Sequence, residues 1–252
     1  MADSKRMKLF SIYTDEIDPL KKQFVGTIQD DWELNIAYWG KAGEGDGKFG
    51  TPSWYNILRK RNEYLLNVIK ENWGDIIIWA DIDIQFFAKC TNVINKSIEG
   101  KDIVFMSEHW PQEIINGGFM VIRCNDKTLL LFQSVLQYDL EKLPHGDQTA
   151  INDILRRKTI DIKWGILPEQ FWAKSHGGEP PINIVVHHAN CAETLKLKLK
   201  QLKEIRNLVM NRKKRKYLYI PKHYTRKFVN AIKRNLKTAI RKLFSGLFSV
   251  KI

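Results

Sequence analysis

At 252 residues and 44% apolar side chains, the chain can build one α/β domain with a sizeable core plus an appendage, and its composition excludes wholesale disorder. The net charge of +13 is unevenly placed: from Leu195 onward 19 Lys and Arg face one acid, Glu204, whereas residues 1–194 hold 22 Lys and Arg against 27 acids. The body is therefore mildly acidic, which argues against nucleic acid as its partner, and no run approaches the roughly 20 apolar residues of a membrane span.

Three cysteines, Cys90, Cys124 and Cys191, show no paired spacing, as expected of reduced packing thiols rather than a metal site. The N-terminus runs into a short strand and not into a signal-peptide core. Together these features predict a cytoplasmic protein that at most lies on the cytoplasmic face of a membrane.

In chain order, Lys8 to Tyr13 reads as the first strand, with Thr14-Asp15 as its exit turn. Ligands of open α/β sheets lie outside the carboxyl ends of strands, so Tyr13 and Thr14 are candidates to meet a nucleotide base or ribose. Packing by Tyr13 and helix capping by Thr14 is the alternative. A helix from Pro19 to about Gln29 and a strand from Leu34 to Trp39 continue a βαβ pattern. Gly43, Gly45, Gly47 and Gly50 lie in a charged stretch without the Lys-Ser/Thr ending of a P-loop, which predicts a mobile loop, either a lid or a surface excursion.

Thr51-Pro52-Ser53 opens a strong helix with Trp54, Ile57, Leu58, Leu65, Val68 and Ile69 on one stripe. Arg61 falls on that same stripe, and a cation there needs an anionic partner. It is the candidate to reach phosphate or an acidic pair, and a side chain that snorkels to solvent is the alternative.

The acidic pair follows at once. Ile76-Ile77-Ile78 reads as a strand buried on both faces, and it runs into Trp79-Ala80-Asp81-Ile82-Asp83. Two carboxylates at such a strand end are costly to desolvate unless something positive joins them, and residues i and i+2 of an extended segment point the same way. Asp81 and Asp83 can thus converge on one divalent ion or its ligand. A rival is a haloacid-dehalogenase-like phosphatase with Asp81 as nucleophile. Gln85, where that class carries Thr or Val, counts against it.

Beyond the pair, Ile84 to Phe87 leaves the strand, Val93 to Ile98 fits a short helix, and Lys101 to Ser107 another strand. Asn116-Gly117-Gly118-Phe119 begins an apolar strand through Arg123, and glycines there mark either close approach of backbone to a ligand or a tight turn. Asn116 offers both a donor and an acceptor to sugar hydroxyls. After a helix from Thr128 to Tyr138, Asp147-Gln148 precede another helix, so Asp147 either caps it or faces a pocket with Gln148. Strands or loops follow at Ile160 to Ile166 and Phe171 to His176. Finally Ile182 to Asn190 reads as a strand that puts Ile182, Ile184, Val186 and His188 on one face, and a neutral imidazole there is a good third ligand for an Mn²⁺-like ion.

The order of these segments resembles the nucleotide-diphospho-sugar transferase family, the group around glycosyltransferase family 77 and related to family 8. The resemblance spans roughly Lys8 to Lys196. It implies the GT-A fold, a Rossmann-like mixed, mostly parallel sheet flanked by helices, over residues 1–194. It also implies a retaining glycosyltransferase that uses a nucleotide diphosphate sugar, UDP- or GDP-linked, and Mn²⁺ or Mg²⁺. Asp81, Asp83 and His188 would hold the metal. Asp81, Tyr13, Thr14, Asn116, Gly117 and Gly118 would hold the donor, Arg61 and Lys196 would neutralise phosphate, and Asp147 and Gln148 would serve catalysis beside the sugar. The acceptor would be a glycan, glycolipid or protein.

Residues 195–252 read as a basic amphipathic helical extension: Leu202, Ile205, Leu208 and Val209 lie at helical spacing, and a second apolar face follows Pro221 opposite Lys233, Arg234, Lys237, Arg241 and Lys242. Such a face suits an anionic bilayer. Packing of the helices on the body is an alternative. So is a non-catalytic module that works through the tail, on a membrane or on nucleic acid, although no stacking aromatics interleave the cations.

Overall fold

A computed structural model describes residues 6–214. The expected helix after Pro221 lies outside the described residues. The elements in chain order are β1 (Lys8–Tyr13), α1 (Asp18–Thr27), β2 (Glu33–Tyr38), α2 (Pro52–Glu71), β3 (Ile76–Ala80), β4 (Ile84–Phe86), α3 (Thr91–Ile98), β5 (Ile103–Ser107), β6 (Ile115–Arg123), α4 (Asp126–Val135), α5 (Asp147–Arg157), β7 (Trp164–Ile166), β8 (Phe171–Ala173), β9 (Val186–His188) and α6 (Leu195–Lys214). The chain divides into two compact units, Met1–Arg206 and Asn207–Ile252, and everything described below belongs to the first.

The main sheet has the order β2-β1-β3-β6-β5-β7, with β6 antiparallel to both its neighbours and the other pairs parallel. This is the mixed, mostly parallel sheet that the family resemblance implied, and its βαβ portion was legible in the alternation of strands and helices. Side chains alternate between two cores. Leu9, Ile78, Ala80, Val104, Phe119 and Val121 pack on one side with α1 and α3, while Phe10, Ile77, Trp79, Phe105, Met120 and Ile122 pack on the other with α2, α4 and α5. The two-residue period explains the division: one continuous apolar strand feeds two cores because both faces are covered by helices.

Helix α2 starts as its local chemistry dictates, with Thr51 Oγ1 accepting from the Trp54 amide and Pro52 in the first turn. It buries Leu58, Leu65, Val68 and Ile69 against the sheet, each contributing at most roughly 1.5–3 kcal/mol. Its axis carries Arg61 to the carboxyl end of β3.

Two segments differ from the sequence reading. Ile84 to Phe86 does not merely leave the sheet: it is a strand of a second, three-stranded sheet ordered β4-β9-β8. There Ile84 pairs with His188 and Phe86 with Val186. The strand expected from Ile182 is only three residues long, and Ile182 is 84% exposed. Pro180 and Pro181 precede it, and the Ile184 amide turns back to the Pro181 carbonyl, so the backbone joins the sheet only from Val186. The second sheet thus delivers His188 to the end of β3, which no local pattern predicted.

Candidate active site

Asp81 and Asp83 leave the carboxyl end of β3, where the Asp81 amide donates to the Gly118 carbonyl at 2.7 Å. They line a cleft of about 440 Å³ together with Arg61, Asn116, Gly117, Gly118, Asp147, Gln148 and His188. Tyr13 and Thr14 are outside that lining. Both are buried at the end of β1, where the Tyr13 hydroxyl accepts from Lys21 at 2.8 Å and its ring packs on Tyr38. The loop from Gly40 to Gly50 reaches the cleft through Gly47 and Phe49, and the Phe49 ring lies 4.7 Å from Trp54 and 5.9 Å from His145.

Arg61 does what its place on a buried stripe demands. Its guanidinium donates to Asp81 Oδ1 at 3.2 Å and to Asp147 Oδ2 at 2.5 Å, and Asn62 Nδ2 donates to the same Asp147 oxygen at 2.7 Å. Burial works against the charge on Arg61, but Asp147 and Asp81 outweigh it and raise its pKa. Asp147 is not the helix cap. Gly146 holds that position with φ +51°, and a Cβ on it would stand 2.3 Å from Leu58 Cδ1. The chain therefore turns tightly over α2 and aims Asp147, only 2% exposed, into the cleft.

Asp81, Asp83 and His188 each offer one ligand atom, and these atoms lie within 4.8 Å of one another. His188 Nε2 is 3.2 Å from Asp83 Oδ1 and 3.9 Å from Asp81 Oδ2. The ring's other nitrogen, Nδ1, lies 2.9 Å from Asn116 Oδ1. An amide oxygen only accepts, so Nδ1 carries the proton, and a neutral ring would turn a bare Nε2 lone pair toward carboxylate oxygens. That arrangement is repulsive unless a cation stands among the three groups or the ring is charged. Burial depresses the His188 pKa, yet Asp83 and then Asp81 outweigh it and raise it. Burial likewise raises Asp83, but the Lys198 ammonium and the His188 ring hold its carboxyl well below the usual range. For Asp81 burial wins over Arg61 and His188, and its pKa is raised. A hard or borderline divalent ion fits such an O, O, N donor set.

Close packing enforces the geometry. A Cβ on Gly118 would lie 2.2 Å from His188 Cε1, whereas one on Gly117 would meet only Arg61 Nη2 at 3.4 Å. The two glycines are thus interior strand residues, and Gly118 is the place where the ring needs the space.

Lys198 and Glu108 line the cleft and Asn62 supports Asp147 from behind it, and none of the three had a role in the sequence reading. Lys198 forms an ion pair with Asp83. Lys196, which the resemblance put at the phosphate, is exposed and outside the cleft lining. The chain is already helical from Leu195, so positions two apart point about 200° apart, and Lys198 is the one turned inward. Helix α6 starts at Leu195, but its Leu202 is buried in the body's core, and the compact units divide later, between Arg206 and Asn207. Asn62 was hidden by its ordinary place on a helix. Glu108 follows the apolar strand β5 just as Asp81 follows β3, and that parallel was the signal available for it.

The sequence model of the nucleotide-diphospho-sugar transferases matches residues 20–202. An uncharacterized protein of Arabidopsis thaliana is 23% identical over 152 residues, 59% of this chain, and the chain spans 45% of that relative's length. Among solved structures, a glycosyltransferase involved in the glycosylation of the major capsid of PBCV-1 superposes with a TM-score of 0.55 at 10% identity, over 79% of this chain and 100% of that one. The apo-form glycosyltransferase GlyE of Streptococcus pneumoniae superposes with a TM-score of 0.52 at 10% identity, over 86% of this chain and 65% of that one. The shared fold is of GT-A type, as the order of the sequence motifs implied.

Proposed function

The chain belongs to the nucleotide-diphospho-sugar transferase family, and from that premise we propose that it is a metal-dependent, retaining glycosyltransferase acting on a UDP- or GDP-sugar. The observation that carries the metal dependence is the convergence of His188 Nε2 with the Asp83 and Asp81 carboxylates, with Asn116 Oδ1 at the ring's other nitrogen. Asp81, Asp83 and His188 would hold Mn²⁺ or Mg²⁺, which supplies charge stabilisation to the departing diphosphate.

The remaining work falls to this chain's side chains. Lys198, poised on Asp83, neutralises phosphate as the leaving group gains charge. Arg61 holds Asp81 and Asp147 aimed at the cleft. Both hydrogen bonds that Asp147 accepts go to Oδ2, which leaves Oδ1 for a donor-sugar hydroxyl. Gln148 lies beside the sugar's reacting face, where the anomeric carbon loses its bond to the phosphate oxygen and gains one to the acceptor hydroxyl oxygen. The hydroxyl proton leaves on that phosphate oxygen, so charge and atoms balance. Tyr13 and Thr14, at the end of β1, would meet the nucleotide base or ribose. The acceptor is a glycan, glycolipid or protein, and residues 195–252 would bring the enzyme to an anionic surface on the cytoplasmic face of a membrane. No helix among the described residues is long and apolar enough to cross one.

The phosphatase alternative would have to attack through Asp81 Oδ2, because Arg61 and the Trp79 indole both occupy Oδ1, and Gln85 counts against it. The test is a panel of nucleotide sugars with Mn²⁺. Slow donor hydrolysis is expected, abolished by chelation and by Asp83→Asn. Hydrolysis that survives both would sink the metal-dependent reading.

A further inference from the structure

We propose that Glu108 is a positioning residue that sets the polarity of three amide side chains around the site and, through one of them, the tautomer of His188. The reasoning starts from the one property that separates a carboxylate from an amide: it only accepts. Glu108 Oε2 receives Asn116 Nδ2 at 2.6 Å and Gln148 Nε2 at 3.1 Å, and Oε1 receives Asn190 Nδ2 at 3.2 Å. Turning any of these amides over would press a carbonyl oxygen against the carboxylate. Each is therefore locked with its NH₂ toward Glu108 and its oxygen turned outward.

The outward oxygens do the positioning. Asn116 Oδ1 receives the Gly118 amide and faces His188 Nδ1, each at 2.9 Å. Gln148 Oε1 receives the Gly117 amide at 3.2 Å, which ties that side chain to the strand beside the sugar face. Asn190 Oδ1 receives the Ser175 amide at 2.9 Å. Asn116 is 3% exposed, so no water competes for its two ends.

Glu108 itself is anchored by its backbone. Its amide donates to the Ile114 carbonyl at 2.7 Å, its carbonyl accepts from Ser175 Oγ at 2.8 Å, and the preceding Ser107 carbonyl pairs with His176 Nε2 at 2.7 Å. A carboxylate held this firmly, 82 residues from Asn190 and 40 from Gln148, behaves as a fixed pole about which the amides orient. The relay then runs from Glu108 to Asn116 to His188 Nδ1–H, and it ends in a lone pair on Nε2.

The inference rests on the metal reading only for its last consequence, because the tautomer exists without metal. The direct experiment uses the full chain labelled with ¹⁵N-histidine, free of metal and at alkaline pH, with the His188 signals assigned by their loss in His188→Gln. The Nδ1–H form is expected; a dominant Nε2–H form overturns the proposal outright. Glu108→Gln keeps the shape but lets residue 108 donate, so Asn116 can turn over. That variant should convert His188 toward Nε2–H and weaken Mn²⁺ binding by about 10–100-fold, the usual cost of losing an outer hydrogen-bonding partner. An unchanged tautomer in a folded Glu108→Gln variant also overturns it. Should that variant fail to fold, the wild-type tautomer still decides. Wild-type protein that takes up no Mn²⁺ would sink the metal reading while leaving the tautomer result intact.

Discussion

Gly118→Ala tests the site with a single methyl group. Neither Gly118 nor Gly117 has a positive φ, so alanine is compatible with the backbone at both positions and only contacts distinguish them. At Gly118 the new Cβ would lie 2.2 Å from His188 Cε1, 2.5 Å from Nδ1 and 2.9 Å from Asn116 Oδ1. The ring would have to retreat by about 1.2 Å to reach ordinary contact, in a pocket where the imidazole is 6% exposed and has little room to move. Overpacking of this kind costs about 1–3 kcal/mol of stability. A displacement near 1 Å in a reacting constellation costs on the order of 100-fold in rate. At Gly117 the added methyl meets Arg61 Nη2 at 3.4 Å, an ordinary contact. The assay is Mn²⁺ titration by calorimetry alongside urea denaturation and donor hydrolysis. Gly118→Ala should lose Mn²⁺ affinity and hydrolysis while still folding, and Gly117→Ala should retain most of its Mn²⁺ affinity. Equal Mn²⁺ affinity in wild type and Gly118→Ala would refute the placement of His188 at a metal.

Further outcomes follow from the same contacts. Arg61→Met strands Asp81 and Asp147 without their shared cation, so urea unfolding should report a loss of about 3–5 kcal/mol; a loss under about 1 kcal/mol would contradict the buried ion triad. The His187 imidazole, stacked on Trp172, has its pKa pushed down to about 3 by burial first and by His188 second. The unfolded chain binds that proton near 6.5, so stability should fall as pH drops from 6.5 toward 3, by about 1.4 kcal/mol per pH unit. His187→Gln should flatten that slope. The raised His188 pKa contributes with the opposite sign, giving stability fully present below 6.5 and lost as pH rises through its folded pKa, so it adds no slope between 6.5 and 3. For the tail, the full chain should pellet with anionic vesicles at low salt, whereas a chain ending at residue 214 should stay in the supernatant and still bind Mn²⁺; equal pelleting would rule out residues 215–252 as the anchor.

Much of the fold could be read from local pattern. The three isoleucines before Trp79, the capped stripe of α2 and the strand and helix alternation all rest on contacts between near neighbours, so spacing alone reports them. The convergence of Asp81 with Asp83 and the need of Arg61 for an anion follow from the same rules. The pairing of Arg61 with Asp81 was in that reading; its second partner was not. Asp147 lies 86 residues away, and only the Gly146 turn over Leu58 brings it there.

The amino-acid sequence by itself determined the elements, the acidic pair and the family pattern, because periodicity and strand-end chemistry act over a few residues. Tertiary structure alone decided that β4 and β9 pair, that Lys198 rather than Lys196 turns inward, and that Glu108 gathers three amides. Those outcomes depend on strand register, helix phase and chain crossings, which are settled by burying two cores at once, and no local spacing carries that information.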